Sequence, residues 1–147
     1  LHRNIREAAT HHGCKWVAID PWNEIEHVFQ RGQSEHHYLN DAIRDIKRVG
    51  RRYRILTMIV THPDKASGRI KNIDELDLYA ISGGQTWNNK ADRGIIVLRP
   101  DLDSPETLIK VSKSKRHATM GRPGTSVMRF APLKATFEFV RPYTGAE

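Results

Sequence analysis

The sequence predicts a mixed α/β domain in which a mostly parallel sheet is followed by antiparallel strands. Two short runs, 16–20 and 55–60, are apolar on both faces and end in polar residues, as buried parallel strands do. A helical pattern over 35–49 separates them. From residue 107 onward, apolar and polar residues alternate, which indicates antiparallel strands. A length of 147 residues suits one domain, so we expect residues 1–147 to form a single domain.

The first half of the chain alternates helices and strands. A first helix is predicted over 3–12, because Ile5 and Ala8 share one face and Gly13 ends the pattern. The strand 16–20 follows, and 21–34 is predicted to be a loop or short helix.

The second helix, 35–49, has apolar residues at helical spacing, and Gly50 is expected to end it. Residues 55–60 then form the second parallel strand. The chain beyond it is rich in Pro, Gly, Lys and Asp up to residue 84, with one short helical piece. The remaining predicted elements are helices at 73–79 and 86–92, a third buried strand at 94–98, and antiparallel strands at 107–113, 127–131 and 136–140.

Charge and composition point to a polyanionic partner. The formal net charge is +7 and the isoelectric point is about 9.8, which most simply indicates nucleic acid. Basic residues gather at 44–54, 65–71 and 110–122, although the first group is equally well explained as the solvated face of a helix. A single cysteine fits a reducing cytoplasm, and no apolar run approaches the roughly 20 residues of a membrane helix.

Asp20 ends the first strand, immediately before Pro21. A carboxylate at the carboxyl edge of a parallel sheet is how nucleotide-hydrolysing α/β domains help to hold the magnesium of a bound triphosphate. The phosphate-binding loop Gly-x-x-x-x-Gly-Lys-Ser/Thr is nevertheless absent from the 147 residues. Because the chain also lacks a starting methionine, we expect it to be an excised or processed piece.

Four segments in order resemble the ATPase domain of the DnaB-like hexameric replicative helicases, especially phage and mitochondrial primase-helicases. They are residues 16–24 (WVAIDPWNE), 59–65 (IVTHPDK), 81–99 (ISGGQTWNNKADRGIIVLR) and the basic stretch 113–121 followed by Gly124. The resemblance covers about residues 10–135 and is most specific at 81–99.

The resemblance implies a RecA-like three-layer domain without its N-terminal βα unit. The phosphate-binding loop and the glutamate general base would then lie upstream of residue 1. It also implies ATP or another NTP with Mg²⁺, single-stranded DNA as partner, a homo-oligomeric, hexameric ring, and a fused or partner primase.

The resemblance assigns roles to individual residues. Asp20 would bind Mg²⁺ through water, since magnesium prefers hard oxygen ligands and keeps several waters. His62 would relay the state of the γ-phosphate. Asn89 aligns with the family's γ-phosphate sensor, which is often glutamine, and Arg99 would lie near a subunit boundary at the nucleotide.

Two groups of basic residues also receive roles from the resemblance. Lys113, Lys115 and Arg116 match the segment that reaches the neighbouring subunit's nucleotide. Either Lys115 or Arg116 would be the trans-acting finger, and arginine suits that multidentate role better. Three further residues would contact the phosphates of single-stranded DNA: Lys65, Arg69 and Lys71.

Other functions are compatible with parts of the pattern. One alternative is a non-catalytic single-stranded-DNA-binding or ring-assembly module. The other is another RecA-like ATPase, of the recombinase type. A nuclease using Asp20, Glu24 and Asp64 lacks a supporting motif, and the adjacent histidine pairs lack zinc-ligand spacing. We expect the isolated chain neither to hydrolyse ATP nor to unwind DNA.

Overall fold

A computed structural model describes residues 1–145 and divides the chain into two compact units. The N-terminal unit is Leu1–His62 and the C-terminal unit begins at Pro63. Parallel strands occur in the first unit and antiparallel strands in the second, so the predicted mixed α/β fold class is confirmed. No helix within residues 1–145 is both long and apolar enough to span a membrane.

The N-terminal unit consists of two helices and a two-stranded parallel sheet. In that sheet Trp16 lies opposite Leu56 and Ile19 opposite Ile59, so both strands end at the same edge. Apolar residues of the helices form the core, among them Ile5 and Ile46. The elements are α1 (His2–Thr10), β1 (Trp16–Ile19), α2 (Glu35–Tyr53) and β2 (Leu56–Ile59).

Helix α2 continues past the glycine that was predicted to end it. It begins after Ser34, whose hydroxyl accepts a hydrogen bond from the His37 amide at 3.3 Å, and it ends at Arg54 in the left-handed conformation. A Cβ on Gly50 would lie 3.2 Å from the Ile55 carbonyl oxygen. Gly50 therefore permits the close approach of the following strand and does not act as a stop signal.

The prediction that β1 and β2 are buried on both faces was wrong. Trp16 is 61% exposed and Leu56 is 66% exposed, and Met58 lies exposed on the same face. Helix α2 packs on the other face, against β2. A two-stranded sheet covered on one side leaves alternate side chains exposed, and an apolar sequence alone cannot reveal this.

The C-terminal unit contains a four-stranded antiparallel sheet in the order β3-β4-β5-β6. Its most buried side chains include Ile73 and Val127. The elements are α3 (Gly84–Lys90), β3 (Arg93–Leu98), β4 (Glu106–Ser114), α4 (His117–Met120), β5 (Gly124–Ala131) and β6 (Thr136–Pro142).

Strand β3 differs from its prediction as a third buried strand. It pairs antiparallel with β4, placing Ile96 opposite Lys110, and its Ile95 and Val97 side chains are exposed. The apolar run predicted a strand correctly but carried no information about its partner. The neighbouring strand in sequence became that partner through the short connection 99–105.

Two short 3₁₀ turns replace the helix predicted over 73–79. They span Ile73–Glu75 and Leu78–Ala80. The side chain of Asn72 accepts from the Asp74 amide at 3.0 Å, and that of Asp77 accepts from the Tyr79 amide at 2.7 Å. Each polar cap starts a new turn, which interrupts a continuous helix.

Candidate functional site

Asp20 and His62 lie at the shared carboxyl edge of the parallel sheet. Asp20 follows β1 directly, and His62 is the third residue after β2. Backbone hydrogen bonds extend the pairing beyond both strands, from the Val60 amide to the Ile19 carbonyl and from the Trp22 amide to the Val60 carbonyl, each at 2.8 Å. Both side chains are exposed, so a ligand can reach them.

A side-chain hydrogen bond joins the two loops that carry these residues. The Thr61 hydroxyl donates to the Asn23 amide oxygen at 3.2 Å. Thr61 precedes His62, and Asn23 lies three residues after Asp20. The edge thus presents a carboxylate and an imidazole from loops that are fixed to each other.

An aromatic cluster anchors the loop after Asp20 to helix α2. His27 Nε2 lies 3.1 Å from the Trp22 carbonyl oxygen and therefore donates to it. His27 Nδ1 consequently accepts from the Tyr38 hydroxyl at 2.9 Å. Burial raises the pKa of Tyr38, which keeps this hydroxyl protonated. Sequence reasoning missed His27 and Tyr38, because eleven residues separate them and no motif contains both.

The basic loop after His62 is organised by Asp64. Its carboxylate accepts from the Ser67 amide at 2.7 Å, and its carbonyl accepts from the Gly68 amide at 2.8 Å. Its own amide donates to the Ala80 carbonyl at 2.8 Å. Hydrogen bonds from Ser67 hold the pKa of Asp64 below its ordinary value. The turn is therefore built around an ionised carboxylate.

Three cationic side chains project from this loop. Lys65, Arg69 and Lys71 are exposed, and none of their side chains makes a hydrogen bond or ion pair within residues 1–145. Three unpaired cations on a short, shaped segment can neutralise phosphates without first breaking internal contacts.

Asn89 is the outward-facing amide at the end of α3. Its neighbours are engaged inside the unit: Trp87 Nε1 donates to the Ser82 carbonyl at 3.1 Å, and Asn88 Nδ2 donates to the Tyr79 hydroxyl at 2.9 Å. Asn89 is exposed, and its side-chain amide has no hydrogen-bond partner in the described part of the chain. Its amide can both donate to and accept from a ligand.

Lys113 is held within its own unit. Its ammonium donates to the Asn88 carbonyl near the end of α3, and the side chain is half-buried. A cation near the last carbonyls of a helix satisfies acceptors that have no partner within the helix. The nucleotide role suggested for Lys113 stays a prediction, and its ammonium would have to leave this position to perform it.

The structure distinguishes Lys115 from Arg116. The Lys115 ammonium lies 3.5 Å from an Asp92 carboxylate oxygen, and its amide donates to the Asp92 carbonyl at 3.1 Å. Arg116 is exposed, and its guanidinium contacts no partner among residues 1–145. Of the two finger candidates, Arg116 is the one available to a second molecule.

Arg99 closes the loop that follows β3. Its guanidinium donates to the Ser104 carbonyl at 2.9 and 3.1 Å and to the Leu102 carbonyl at 2.6 Å. These bonds occupy the Nε–Nη2 edge with which an arginine would bind a nucleotide. The suggested nucleotide contact of Arg99 stays a prediction.

Lys110 has a structural role that the sequence did not reveal. Its ammonium donates to the carbonyls of Ile73 at 2.9 Å, Asp74 at 3.3 Å and Leu76 at 2.8 Å. It thereby fixes the first 3₁₀ turn to β4. The sequence shows Lys110 only as part of a basic stretch, because the carbonyls that accept its hydrogen bonds lie more than thirty residues earlier in the chain.

The predicted site residues are divided between the two units. Asp20 and His62 share one edge of the N-terminal unit, whereas the remaining predicted residues belong to the C-terminal unit. Among the described residues, no three His, Cys, Asp or Glu side chains cluster to hold a metal ion. A magnesium ion at Asp20 would therefore depend on one protein carboxylate together with water and phosphate oxygens, as is usual for this ion.

The chain is similar to known proteins in sequence and in fold. No protein-family model matches the chain. The Twinkle homolog protein, chloroplastic/mitochondrial, of Arabidopsis thaliana is 30% identical over 129 residues, which cover 84% of this chain. A solved structure of a DnaB-like replicative helicase, described together with its interactions with primase, matches 88% of this chain with a TM-score of 0.69. The chain is a DnaB-like, helicase-related domain.

The two matches carry different weight. The solved structure shares 14% sequence identity with this DnaB-like domain, so it establishes the fold alone. The match to the Twinkle homolog establishes the relationship in sequence. The DnaB-like domain spans 18% of that relative's length and 32% of the chain in the solved structure.

Proposed function

We propose that this DnaB-like domain is the C-terminal part of the ATPase motor of a hexameric replicative helicase. In that assembly NTP hydrolysis would drive translocation along single-stranded DNA. The observation that carries the proposal is that Asp20 and His62 both follow paired parallel strands, at the same carboxyl edge of the sheet. In open α/β sheets that edge is where ligands bind.

Asp20 is suited to hold Mg²⁺ through ordered water. Its carboxylate is exposed and lies directly after β1, at the end of a short, regular strand. The bound ion would neutralise charge on the triphosphate. His62, which follows the Thr61 that is hydrogen-bonded to Asn23, would exchange a hydrogen bond with a phosphate or water and so report whether the γ-phosphate is present.

The nucleotide site is proposed to be shared between neighbouring copies. Arg116 is exposed and unpaired within the described residues, so its guanidinium can act on a second subunit's γ-phosphate. Asn89 would contribute an amide contact to the same phosphate. Such charge stabilisation by an arginine from a neighbouring subunit requires a ring or another closed oligomer.

The loop shaped by Asp64 is proposed to follow the DNA strand. Lys65, Arg69 and Lys71 supply three positive charges, and the chain as a whole carries a formal charge of +7. Contacts to phosphates alone would make binding independent of DNA sequence and strongly dependent on salt. A fused or partner primase belongs to the same proposal, since the helicase of similar fold is described with its primase interactions.

The chain on its own is proposed to be inactive as a hydrolase. Its 147 residues contain no phosphate-binding loop, and without the backbone donors and lysine of that loop triphosphate affinity falls steeply. The isolated chain would then act as a non-catalytic DNA-binding or ring-assembly module. The unpaired cations of the loop favour this second candidate function.

The DNA-facing role is tested by replacing Lys65, Arg69 and Lys71 together with glutamine in the parent protein. We expect loss of the stimulation of NTP hydrolysis by single-stranded DNA. In binding measurements, we expect the salt dependence of log affinity to become shallower by about 2, since each phosphate contact on a single strand contributes about 0.7.

A charge-matched variant serves as the control for that test. Lys15, Arg31 and Lys134 are exposed cations outside the loop, and their triple replacement by glutamine removes the same charge. If both triple variants retain stimulation equally, the loop does not contact DNA. If both lose it equally, overall charge and not the loop determines the effect.

A further inference from the structure

A basic groove lies between α1 and α2 in the N-terminal unit. Its volume is about 440 Å³, and no carboxylate of residues 1–145 lines it. The notable lining side chains are four arginines, a histidine and a tyrosine, namely Arg3, Arg6, Arg48, Arg52, His2 and Tyr53.

The positive charge of this groove is poorly compensated. The Arg3 guanidinium lies 3.8 Å from Glu7 and that of Arg48 lies 3.4 Å from Asp45, but these arginine side chains are 77% and 75% exposed. Ion pairs this exposed contribute little. Arg6 and Arg52 have no carboxylate partner within residues 1–145.

Helix geometry explains why the arginines meet. Arg48 and Arg52 are four residues apart on α2, and Arg3 and Arg6 are three apart on α1, so each pair shares a helix face. The two helices pack together and bury Ile5 and Ile46 to 2% exposure. Like charges at such spacing repel each other and destabilise the free helices slightly. A bound polyanion would remove that repulsion.

The dimensions of the groove fit a short length of one nucleic-acid strand. Arg48 and Arg52 are separated by about 6 Å along the helix axis, at roughly 1.5 Å per residue. A single strand carries one phosphate per roughly 3.4 Å in duplex geometry, so the groove spans about two phosphates. The Arg52 guanidinium lies over the half-buried Tyr53 ring, 5.7 Å from its centroid, and the planar guanidinium can itself stack on an unpaired base.

We propose that this arginine groove binds the backbone of single-stranded DNA as a second contact, distinct from the loop of Lys65, Arg69 and Lys71. The inference goes beyond the proposed function because it requires neither nucleotide nor a ring. It assigns a role to basic residues of 44–54 that a solvated helix face would leave without one.

The test replaces Arg6 and Arg52 with glutamine and measures the affinity of the chain for a fluorescein-labelled oligothymidylate of roughly 20 nucleotides, by fluorescence anisotropy. We expect a loss of about 10-fold near 0.1 M salt, and a salt dependence shallower by about 1.4 for two lost contacts. Both arginines are exposed, and circular dichroism checks that the helices persist.

The matched control replaces Arg31 and Arg51, which are exposed but do not line the groove. Equal weakening by both double variants, or no weakening by the groove variant, would overturn the proposal. Should the groove variant lose helicity, Arg3→Gln with Arg48→Gln tests the same groove, and unchanged affinity in it would equally reject the site.

Two further arms identify the ligand and separate this inference from the proposed function. A DNA duplex of the same length serves as the second ligand. If it binds as tightly as the single strand, and its affinity falls as much in the groove variant, the groove is not specific for a single strand. Combining the groove and loop substitutions should multiply their separate losses. A loop effect without a groove effect rejects only the groove, and the reverse result rejects only the loop.

Discussion

Lys115 and Arg116 are neighbours in the chain, but within residues 1–145 only Lys115 has a carboxylate partner, Asp92. This difference predicts which of them acts on the adjacent subunit's nucleotide. In the parent protein, Arg116→Ala should lower single-stranded-DNA-stimulated NTP hydrolysis about 1,000-fold, the lower end for an arginine finger. Lys115→Ala should cost less than about 10-fold, since it removes an exposed ion pair. Steady-state kinetics with a larger loss for Lys115 would reverse the assignment.

Asp64 gives the DNA-facing loop a defined dependence on pH. Its pKa is lowered in the folded chain, so the carboxylate stabilises the turn above its ordinary pKa of 3.8 and this contribution is lost as pH falls through the lowered value. We expect the Ser67 amide resonance to keep its hydrogen-bonded shift to below pH 3.8 in an NMR titration. A midpoint at or above the ordinary value would show that Ser67 does not hold the charge.

Gly84 at the start of α3 tests how closely this helix packs on the preceding turn. A Cβ there would lie 2.5 Å from Tyr79 Cα and 2.7 Å from its carbonyl oxygen. Gly84→Ala should therefore lower the free energy of unfolding by about 1–3 kcal/mol, measured by urea denaturation. At Gly124 a Cβ would meet no atom of residues 1–145 within 4 Å, so Gly124→Ala should leave stability nearly unchanged. Equal effects would contradict this packing.

Local patterns predicted the elements better than their pairing. The helical repeat in 35–49 was sufficient to predict α2, since its buried stripe depends only on residues within the helix. The partner of β3 was not predictable, because Ile95 and Val97 favour a strand whether it is parallel or antiparallel. The extension of α2 through Gly50 likewise depends on Ile55, which belongs to the next element.

The candidate site was predictable where it lies at strand ends. Asp20 and His62 each follow an apolar run, and parallel pairing brings such ends to one edge. Contacts made over long sequence separations were not predictable, including the three carbonyls around Lys110. The internal bonds of Arg99 and Lys113 were equally hidden, although the residue types alone suggested ligand binding.

Across the whole molecule, the basic residues behind the formal charge of +7 fall into two groups. Some cationic side chains, such as those of Lys110 and Arg99, donate hydrogen bonds to backbone carbonyls of the chain itself. Others remain exposed and have no carboxylate partner within residues 1–145, namely Lys65, Arg69 and Lys71 of the loop, Arg6 and Arg52 of the α1–α2 groove, and Arg116. Composition predicts only the total, and the structure identifies which charges remain available to a partner.

The most direct test of the account is the single-stranded-DNA-stimulated NTP hydrolysis of the parent protein with Asp20→Asn. Asp20 is exposed, so the change removes the charge without disturbing the core. If Asp20 holds magnesium through water, turnover should fall about 10- to 100-fold, as for other residues that act on a metal indirectly. Glu24→Gln, which also replaces an exposed carboxylate with an amide four residues later, should leave turnover nearly unaffected. Full activity in Asp20→Asn, or an equal loss in both variants, would contradict a nucleotide site at this edge.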